Sequence, residues 1–143
     1  MTSSADDPYR LARFVEAQTD TYAQALTELR TGHKTSHWMW FVFPQVAGLG
    51  RSATAQRFAI SGLDEARAYL AHPVLGPRLV ESAQALTELP GSDAAAVLGP
   101  VDAVKLRSSM TLFAHADPGQ PVFRAVLEQY FGGEEDDATT SRL

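Results

Sequence analysis

Residues 7–31 read DPYRLARFVEAQTDTYAQALTELRT, and this stretch decides the fold class. Large and mostly apolar side chains recur at intervals of three or four positions, which is the spacing of one helix face: Leu11, Val15, Gln18, Tyr22, Leu26, Leu29. Asp7 followed by Pro8 is typical of a helix N-terminus, and Gly32 of a helix C-terminus. The pattern predicts an amphipathic helix near 8–31.

The remainder of the chain repeats this pattern in shorter pieces punctuated by proline and glycine. It predicts further helices near 63–72, 77–89, 102–114 and 121–131. Ser52 is placed to cap residues 53–60, Asp93 to cap a short turn, and Asp102 to cap the helix that follows it. No alternating runs surround an Asn-Gly or Asp-Gly turn, which argues against an extensive sheet. We therefore predict an all-α fold, a single compact domain of six or seven short helices.

One segment leaves its secondary structure open. Residues 37–44 read HWMWFVFP and are apolar on every side, so periodicity does not separate a buried strand from a buried helix. Ser36 is placed to cap a helix here, and Pro44 would end either element. We favour a short buried helix.

Length and charge set the domain organisation. The 143 residues suit one domain, and with no cysteine the chain offers neither disulfides nor thiolate metal sites. The net charge is −5, and four of the 17 acidic residues stand together in the C-terminal stretch. We assign residues 7–133 to the all-α domain, with a flexible N-terminus at 1–6 and an acidic mobile tail at 134–143, because the tail has little apolar surface to bury.

Composition also limits the partners. The nearly neutral body has no excess of basic residues, which argues against nucleic acid. The longest apolar run is far shorter than the roughly 20 residues that cross a membrane, and the acidic N-terminus does not resemble a secretory signal. We expect a cytoplasmic protein, a monomer or weak homodimer, with no membrane partner.

Several segments resemble a known family. They are DPYRLARFVEAQ at 7–18, SHWMWFVFPQVAGLGRS at 36–52, AYLAHPVLGPRL at 68–79, VKLRSSMTLF at 104–113 and YFGG at 130–133. With these marks the chain resembles the domain-of-unknown-function family 1810, a family of all-α bacterial proteins. The resemblance implies helix or irregular structure for the aromatic run. The resemblance brings no established activity, and the cofactor stays unknown.

Two segments depart from ordinary helix patterning and supply the candidate site residues. The first contains aromatic rings, a histidine and the loop Gly48-Leu49-Gly50-Arg51-Ser52, in which glycines admit an anion close to backbone N–H groups. The second mixes cations with hydroxyls. The candidate ligand-binding residues are His37, Trp38, Trp40, Gln45, Gly48, Gly50, Arg51, Ser52, Lys105, Ser108, Ser109 and Thr111.

Each candidate also has a simpler interpretation. The glycine loop is equally a tight turn with a helix cap, and tryptophans in an apolar run are more often core than stacking platforms. His37 is a general acid or base, or a hydrogen-bonded structural histidine. Lys105 and its neighbouring hydroxyls form a cradle for an anion, or else the cation pairs with an acid and the hydroxyls bond to the helix backbone. His33 and His37 have helical spacing, but we predict no metal site.

The function predicted from these residues is the binding of an anionic small molecule, nucleotide-like in its chemistry, in a cleft between segment 36–52 and helix 102–114. Arg51 and Lys105 would supply the positive charge beside the aromatic rings. The alternative is a protein-interaction or self-association module in which the aromatic segment forms an exposed patch. The residues leave open whether any reaction is catalysed, and they identify no catalytic residue or cofactor.

Overall fold

A computed structural model describes residues 7–143. The expected flexible N-terminus, residues 1–6, lies outside the described residues. The prediction of an all-α fold is confirmed, since this part of the chain forms helices and a single isolated bridge between Val46 and Ile60. Within residues 7–143, no helix is both long enough and apolar enough to cross a bilayer.

The described part of the chain has ten helices, more than the six or seven predicted. They are α1 (Ala12–Thr19), α2 (Tyr22–Thr31), α3 (Met39–Val42), α4 (Ala53–Arg57), α5 (Leu63–Ala71), α6 (Leu75–Thr87), α7 (Ala94–Leu98), α8 (Pro100–Ala116), α9 (Pro121–Phe131) and α10 (Asp137–Thr140). The additional helices are mostly single turns, which a pattern of three- and four-residue spacing is too coarse to detect.

The single helix predicted over 8–31 is wrong in one respect, because the structure divides it into α1 and α2. Asp20 ends α1 with φ −102° and ψ 6°, and the backbone N–H of Thr21 donates to the Gln18 carbonyl at 3.0 Å, which closes a turn between the two helices. The start also differs from the prediction. The Asp7 carboxylate accepts from the backbone N–H groups of Leu11 and Ala12 at 2.7 and 3.0 Å, so the helix begins after a turn rather than at the proline.

The other helix signals vary in accuracy. Ser52 and Asp93 cap α4 and α7 as predicted, and their side chains accept from the backbone at 3.1 and 3.2 Å. Asp102 does not cap a helix, because α8 begins two residues earlier, at Pro100, with Gly99 as its N-cap. Asp102 therefore stands in the first turn of α8, where its carboxylate is available to other partners.

Helix α8 is the centre of the fold. It packs against α5, α7, α9 and α10, and α6 packs against α2, α5 and α9. The apolar side chains of these helices form the core, and the following are buried in it: Leu11, Leu26, Leu79, Leu106, Met110, Phe113 and Leu127. Val15 and Tyr22 lie on the helix face predicted from the sequence, but they are only half-buried and pack against the core.

Helices α5 and α6 approach each other at Gly76. A Cβ at this position would lie 2.1 Å from the carbonyl oxygen of Leu70, which no side chain tolerates. Glycine is therefore required for the tight packing of these two helices, which together cover one side of the core.

The C-terminal residues 134–143 do not behave as the predicted mobile tail. They include α10, and α10 packs against α8. Thr139 is fully buried, and Asp136 accepts a hydrogen bond of 2.8 Å from Ser108 Oγ. The acidic composition suggested mobility because it has few apolar groups, but the segment is held by hydrogen bonds to α8 rather than by apolar burial.

Candidate functional site

The segment that leads into the aromatic run is organised by Glu28, a residue that the sequence analysis did not single out. Glu28 lies on α2 with 4% of its surface exposed. Its Oε1 accepts from the backbone N–H groups of Thr35 and Ser36 and from the indole of Trp38, at 2.8, 2.9 and 3.0 Å. Its Oε2 accepts from Ser36 Oγ at 2.6 Å and from Gln24 Nε2 at 2.8 Å. The loop between α2 and α3 is thereby fixed around one carboxylate.

This environment changes the acidity of Glu28. Burial by itself raises the pKa of Glu28, but hydrogen bonds from Ser36, Gln24, Thr35 and Trp38 favour the ionised form and lower the pKa well below the ordinary value. The carboxylate is charged and both of its oxygens accept hydrogen bonds from within the protein, so its role is structural. The predicted capping role of Ser36 is wrong, because its hydroxyl donates to Glu28 and α3 begins at Met39.

Asp102 holds two lysines at the junction of this loop with α8. Its Oδ2 lies 2.9 Å from Nζ of Lys34, and its Oδ1 lies 3.6 Å from Nζ of Lys105. All three side chains are less than one quarter exposed. Lys105 therefore pairs with an acid, and that acid is Asp102. The three charges leave one positive charge in excess.

Each of these lysines also lies over a tryptophan. Lys34 Nζ is 5.2 Å from the centre of the Trp38 ring, and Lys105 Nζ is 4.7 Å from that of Trp40. Trp38 is completely buried, which supports the core interpretation for this residue. Trp40 is half-buried and keeps part of its ring accessible. Lys105 and Trp40 are thus the two candidate residues through which α8 meets the aromatic segment.

A small cavity of about 190 Å³ lies beside Trp40. One wall is the turn that carries the glycine loop, and this turn is paired to the chain after α4: Ala47 N donates to the Ile60 carbonyl at 2.7 Å, and Ile60 N donates to that of Gln45 at 2.9 Å. The cavity is lined by Trp40, Gln45, Val46, Ala47, Gly48, Gly50, Ala55, Gln56, Phe58 and Ala59. Its walls are therefore mainly apolar, with two side-chain amides.

The other polar residues predicted in the first segment do not line this cavity. Ser52 is exposed and serves as the cap of α4, which supports the simpler interpretation of its role. Arg51 is exposed, and its carbonyl accepts from Gln56 Nε2 at 3.1 Å. His37 is exposed and belongs to no cluster of potential metal ligands within residues 7–143. The first segment thus contributes Trp40, Gln45 and the two glycines to one place.

The hydroxyls predicted on the second segment lie elsewhere, which corrects the proposed cleft face of α8. Ser108 and Thr111 are buried against the C-terminal segment: Ser108 Oγ donates to Asp136 Oδ2 at 2.8 Å, and Thr111 Oγ1 accepts from Asp136 N at 3.0 Å. Ser109 is fully buried and has no hydrogen-bond partner among residues 7–143. Ser108 Oγ and Thr111 Oγ1 also donate to the carbonyls of Val104 and Arg107 on α8 itself, and none of the three hydroxyls lines the cavity beside Trp40.

Comparison with known proteins agrees with the all-α fold and identifies the family. The family described as "Protein of unknown function (DUF1810)" matches residues 8–143. The chain belongs to the DUF1810 family. It is also similar to a crystal structure, that of the conserved hypothetical protein Rv1873 from Mycobacterium tuberculosis at 1.38 Å, with 49% identity and a TM-score of 0.93 over 95% of this chain and 97% of that one. No curated protein matches the chain.

This protein has a second and larger cavity, of about 610 Å³, between α1 and α5. Within residues 7–143, its lining contains the acids Asp7 and Glu16 and no lysine or arginine, and two of its polar side chains, Asp7 and His72, are already engaged. The Asp7 carboxylate accepts from the first N–H groups of α1, and His72 Nδ1 accepts from the N–H groups of Val74 and Leu75 at 3.1 and 3.3 Å. A ligand site usually adds a few convergent polar groups to an apolar hollow, and these groups are used for the fold. The cavity beside Trp40 is therefore the better candidate.

Proposed function

We propose that this DUF1810 protein binds a small anionic molecule that carries a planar ring, with the ring in the cavity beside Trp40. The volume of about 190 Å³ supports this size of ligand. An engineered apolar cavity of about 150 Å³ holds one benzene molecule, so the present cavity accommodates a ring of one or two fused cycles and no more. A nucleotide-like ligand would place its base inside and its phosphate outside.

The observation that carries the proposal is the position of Lys105 over Trp40, a ring that lines the cavity. Lys34 and Lys105 share a single carboxylate, Asp102, so the cluster retains a positive charge. Such a charge acts more strongly on an anion where it is partly removed from water than on an open surface. An apolar pocket with a few convergent polar groups is the common form of a small-molecule site.

The alternative is an interaction module built on the aromatic segment. That function needs a flat exposed patch of apolar side chains. Trp38, Met39 and Phe43 are buried in the core, and Trp40 and Phe41 are half-buried. The aromatic segment therefore favours a concave ligand site over a contact surface.

The test uses pairs of probes that share a ring and differ in charge: nicotinate with nicotinamide, and adenosine monophosphate with adenosine. Binding to the folded state raises the melting temperature by mass action. We expect the anionic member of at least one pair to raise the melting temperature and its neutral partner to have little effect. Equal shifts within both pairs, or no shift with any probe at millimolar concentration, would overturn the proposal.

The location of binding is tested by NMR and by two charge-removing variants. The chain has only two tryptophans, so their indole N–H signals are easily assigned, and the anionic probe should shift that of Trp40 more than that of Trp38. Lys105→Met should abolish the thermal shift. Arg67→Met is the matched control: Arg67 donates to the carbonyl of Ala116, eleven residues after Lys105 on α8 and about 16 Å along the helix. This control should bind as the wild type does.

A further inference from the structure

The C-terminal segment, residues 134–143, is fixed to α8 by a set of specific contacts. Arg107 donates to the carbonyls of Glu134 and Glu135, at 3.1 Å from Nε and 2.7 Å from Nη2. His115 Nε2 lies 2.6 Å from Glu135 Oε2, and Arg124 Nη1 lies 3.3 Å from the same oxygen. The first half of the segment is therefore held at several points along one face of the fold.

The next residues turn the chain towards the glycine loop. Asp136 Oδ2 accepts from Ser108 Oγ and from Thr139 Oγ1, and its backbone N–H donates to Thr111. Thr139 is fully buried, so the single turn of α10 has a fixed position. The backbone N–H of Arg142 donates to the carbonyl of Thr139 at 2.9 Å, which continues the turn beyond α10.

Arg142 reaches Gly48 as a result. A Cβ built on Gly48 would lie 2.7 Å from Nη1 and 3.0 Å from Cζ of Arg142, so the guanidinium rests directly on this glycine. Gly48 also has φ +96°, a conformation that disfavours other residues. Gly48 lines the cavity, so the guanidinium stands beside the cavity wall. To residues 7–143, the Arg142 side chain makes no hydrogen bond and no ion pair.

We infer that Arg142 is a ligand-binding residue that holds the anionic group of the ligand outside the cavity. This inference rests on the proposed function. The cavity walls are apolar except for two amides, whereas cations stand next to it at Trp40 and at Gly48. The ring therefore enters the cavity and the anion faces the cations. A guanidinium presents parallel N–H donors that match a carboxylate or a phosphate in a two-point contact, and Lys105 adds a point charge.

This arrangement gives the C-terminal segment a role in recognition. Its anchor at Ser108 and Thr111 sets the position of Arg142, and the absence of a side chain at Gly48 lets the guanidinium approach the cavity wall. The hydroxyls of α8 that the sequence suggested as ligand contacts thus act on the ligand through this segment. Ser108 and Thr111 are positioning residues, and Arg142 is the residue that touches the anion.

The test compares Arg142→Gln and Arg142→Lys with the wild type, with nicotinate and adenosine monophosphate as probes in calorimetric titrations. Arg142 is exposed, so neither variant should change the melting temperature of the free protein. We expect Arg142→Gln to weaken binding of the anionic probe about tenfold or more, and Arg142→Lys to restore part of the loss by its charge. The probe that responds distinguishes a carboxylate from a phosphate ligand. Arg67→Gln is the matched control.

The outcomes separate this inference from the proposed function. If the wild type binds an anionic probe and Arg142→Gln binds it equally well, the role of Arg142 is wrong and the proposed function stands. If the wild type binds no anionic probe, the proposed function fails and the role of Arg142 fails with it. Weaker binding by Arg142→Gln together with a lower melting temperature would also overturn the inference if Arg142→Lys restored neither.

Discussion

Ser108 on α8 donates a hydrogen bond of 2.8 Å to the carboxylate of Asp136, and this contact joins the central helix to the C-terminal segment. The same carboxylate accepts from Thr139 Oγ1, while the Asp136 backbone N–H donates to Thr111. One aspartate therefore accepts from two buried hydroxyls and orders the chain that leads to Arg142. The acidic stretch is a structural element, although its composition is typical of a solvated tail.

Asp136→Ala should destabilise the protein measurably. The variant leaves the Thr139 hydroxyl without its acceptor and leaves Ser108 Oγ with only the Val104 carbonyl of its own helix. Both residues are buried, so we expect a loss of about 1–3 kcal/mol in the free energy of unfolding. Urea denaturation provides the measurement. Asp137→Ala is the control, because Asp137 is exposed and should cost less than about 0.5 kcal/mol. Equal midpoints for the two variants would mean that the C-terminal segment is not held by Asp136.

Glu28→Gln should reduce stability by about 2–3 kcal/mol at neutral pH, because a charged acceptor of several hydrogen bonds is replaced by an amide that also carries donors. The effect should depend on pH. The pKa of Glu28 is lowered in the folded state, so its contribution is complete above the ordinary carboxyl value of about 4.5 and is lost as the pH falls below it. The free energies of unfolding of wild type and variant should therefore converge from pH 5 to pH 3. Glu16→Gln, at an exposed position of α1, should not show this convergence.

Leu106→Ala and Phe113→Ala should each cost about 2–5 kcal/mol, because both side chains are completely buried in the centre of the fold and their truncation leaves a cavity. Val104→Ala provides a control on the same helix, since Val104 is 64% exposed. Chemical denaturation should rank the two core variants well below the control. A loss under about 0.5 kcal/mol in both core variants would contradict the central position of α8.

Gly76→Ala should destabilise the contact between α5 and α6. The added methyl would meet the carbonyl oxygen of Leu70 at 2.1 Å, and this backbone atom moves only with its helix, so we expect a cost of about 1–3 kcal/mol or more. Gly91→Ala is the matched control, because a Cβ there meets nothing within 4 Å. Thermal unfolding of the two variants should differ by several degrees. Similar melting temperatures would show that α5 and α6 can move apart at this point without a loss of stability.

The helical class and most of the core follow from the spacing of apolar residues, because each helix buries a stripe that the sequence displays. Helix α9 begins and ends where proline, glycine and this spacing predict. The break at Asp20 and the single turns α3 and α10 do not follow, because they depend on local hydrogen bonds. The sequence did not predict the start of α8 at Pro100, because Asp102 resembles an N-cap residue. In the structure the Asp102 carboxylate pairs with Lys34 and Lys105 instead.

The candidate site is predicted in part. Trp40, Gln45, Gly48 and Gly50 line one cavity, and Lys105 lies over the Trp40 ring without lining the cavity itself. The inferred ligand contact Arg142 stands 94 residues after Gly48 in the sequence, and no local pattern marks it. Glu28 is hidden in the same way, because an acid on the polar face of an amphipathic helix usually faces solvent. The periodicity of the sequence predicts helices and their buried faces, but it does not predict which distant residue a single polar side chain contacts.

Asp102→Asn should change ligand binding and stability in opposite directions. Asp102 neutralises part of the charge of Lys34 and Lys105, at 2.9 and 3.6 Å. Its replacement by the isosteric amide leaves both lysines charged, Lys34 over Trp38 and Lys105 over Trp40. The anionic probe should then bind about fivefold more tightly at low salt, the equivalent of roughly 1 kcal/mol, and high salt should reduce the gain by screening.

The same variant should unfold more easily, because Lys34 is nearly buried and loses its counter-ion, at a cost of about 1–3 kcal/mol. Calorimetric titration with nicotinate and adenosine monophosphate gives the binding change, and urea denaturation gives the stability change. Lys105→Met removes a charge of the opposite sign from the same cluster and should weaken binding. A folded Asp102→Asn protein that binds the anion no better than the wild type would contradict the role of this cluster. If Asp102 acted only in folding, removing its charge would not strengthen anion binding. The opposite signs of the two effects are what separate an electrostatic role in binding from a role in folding alone.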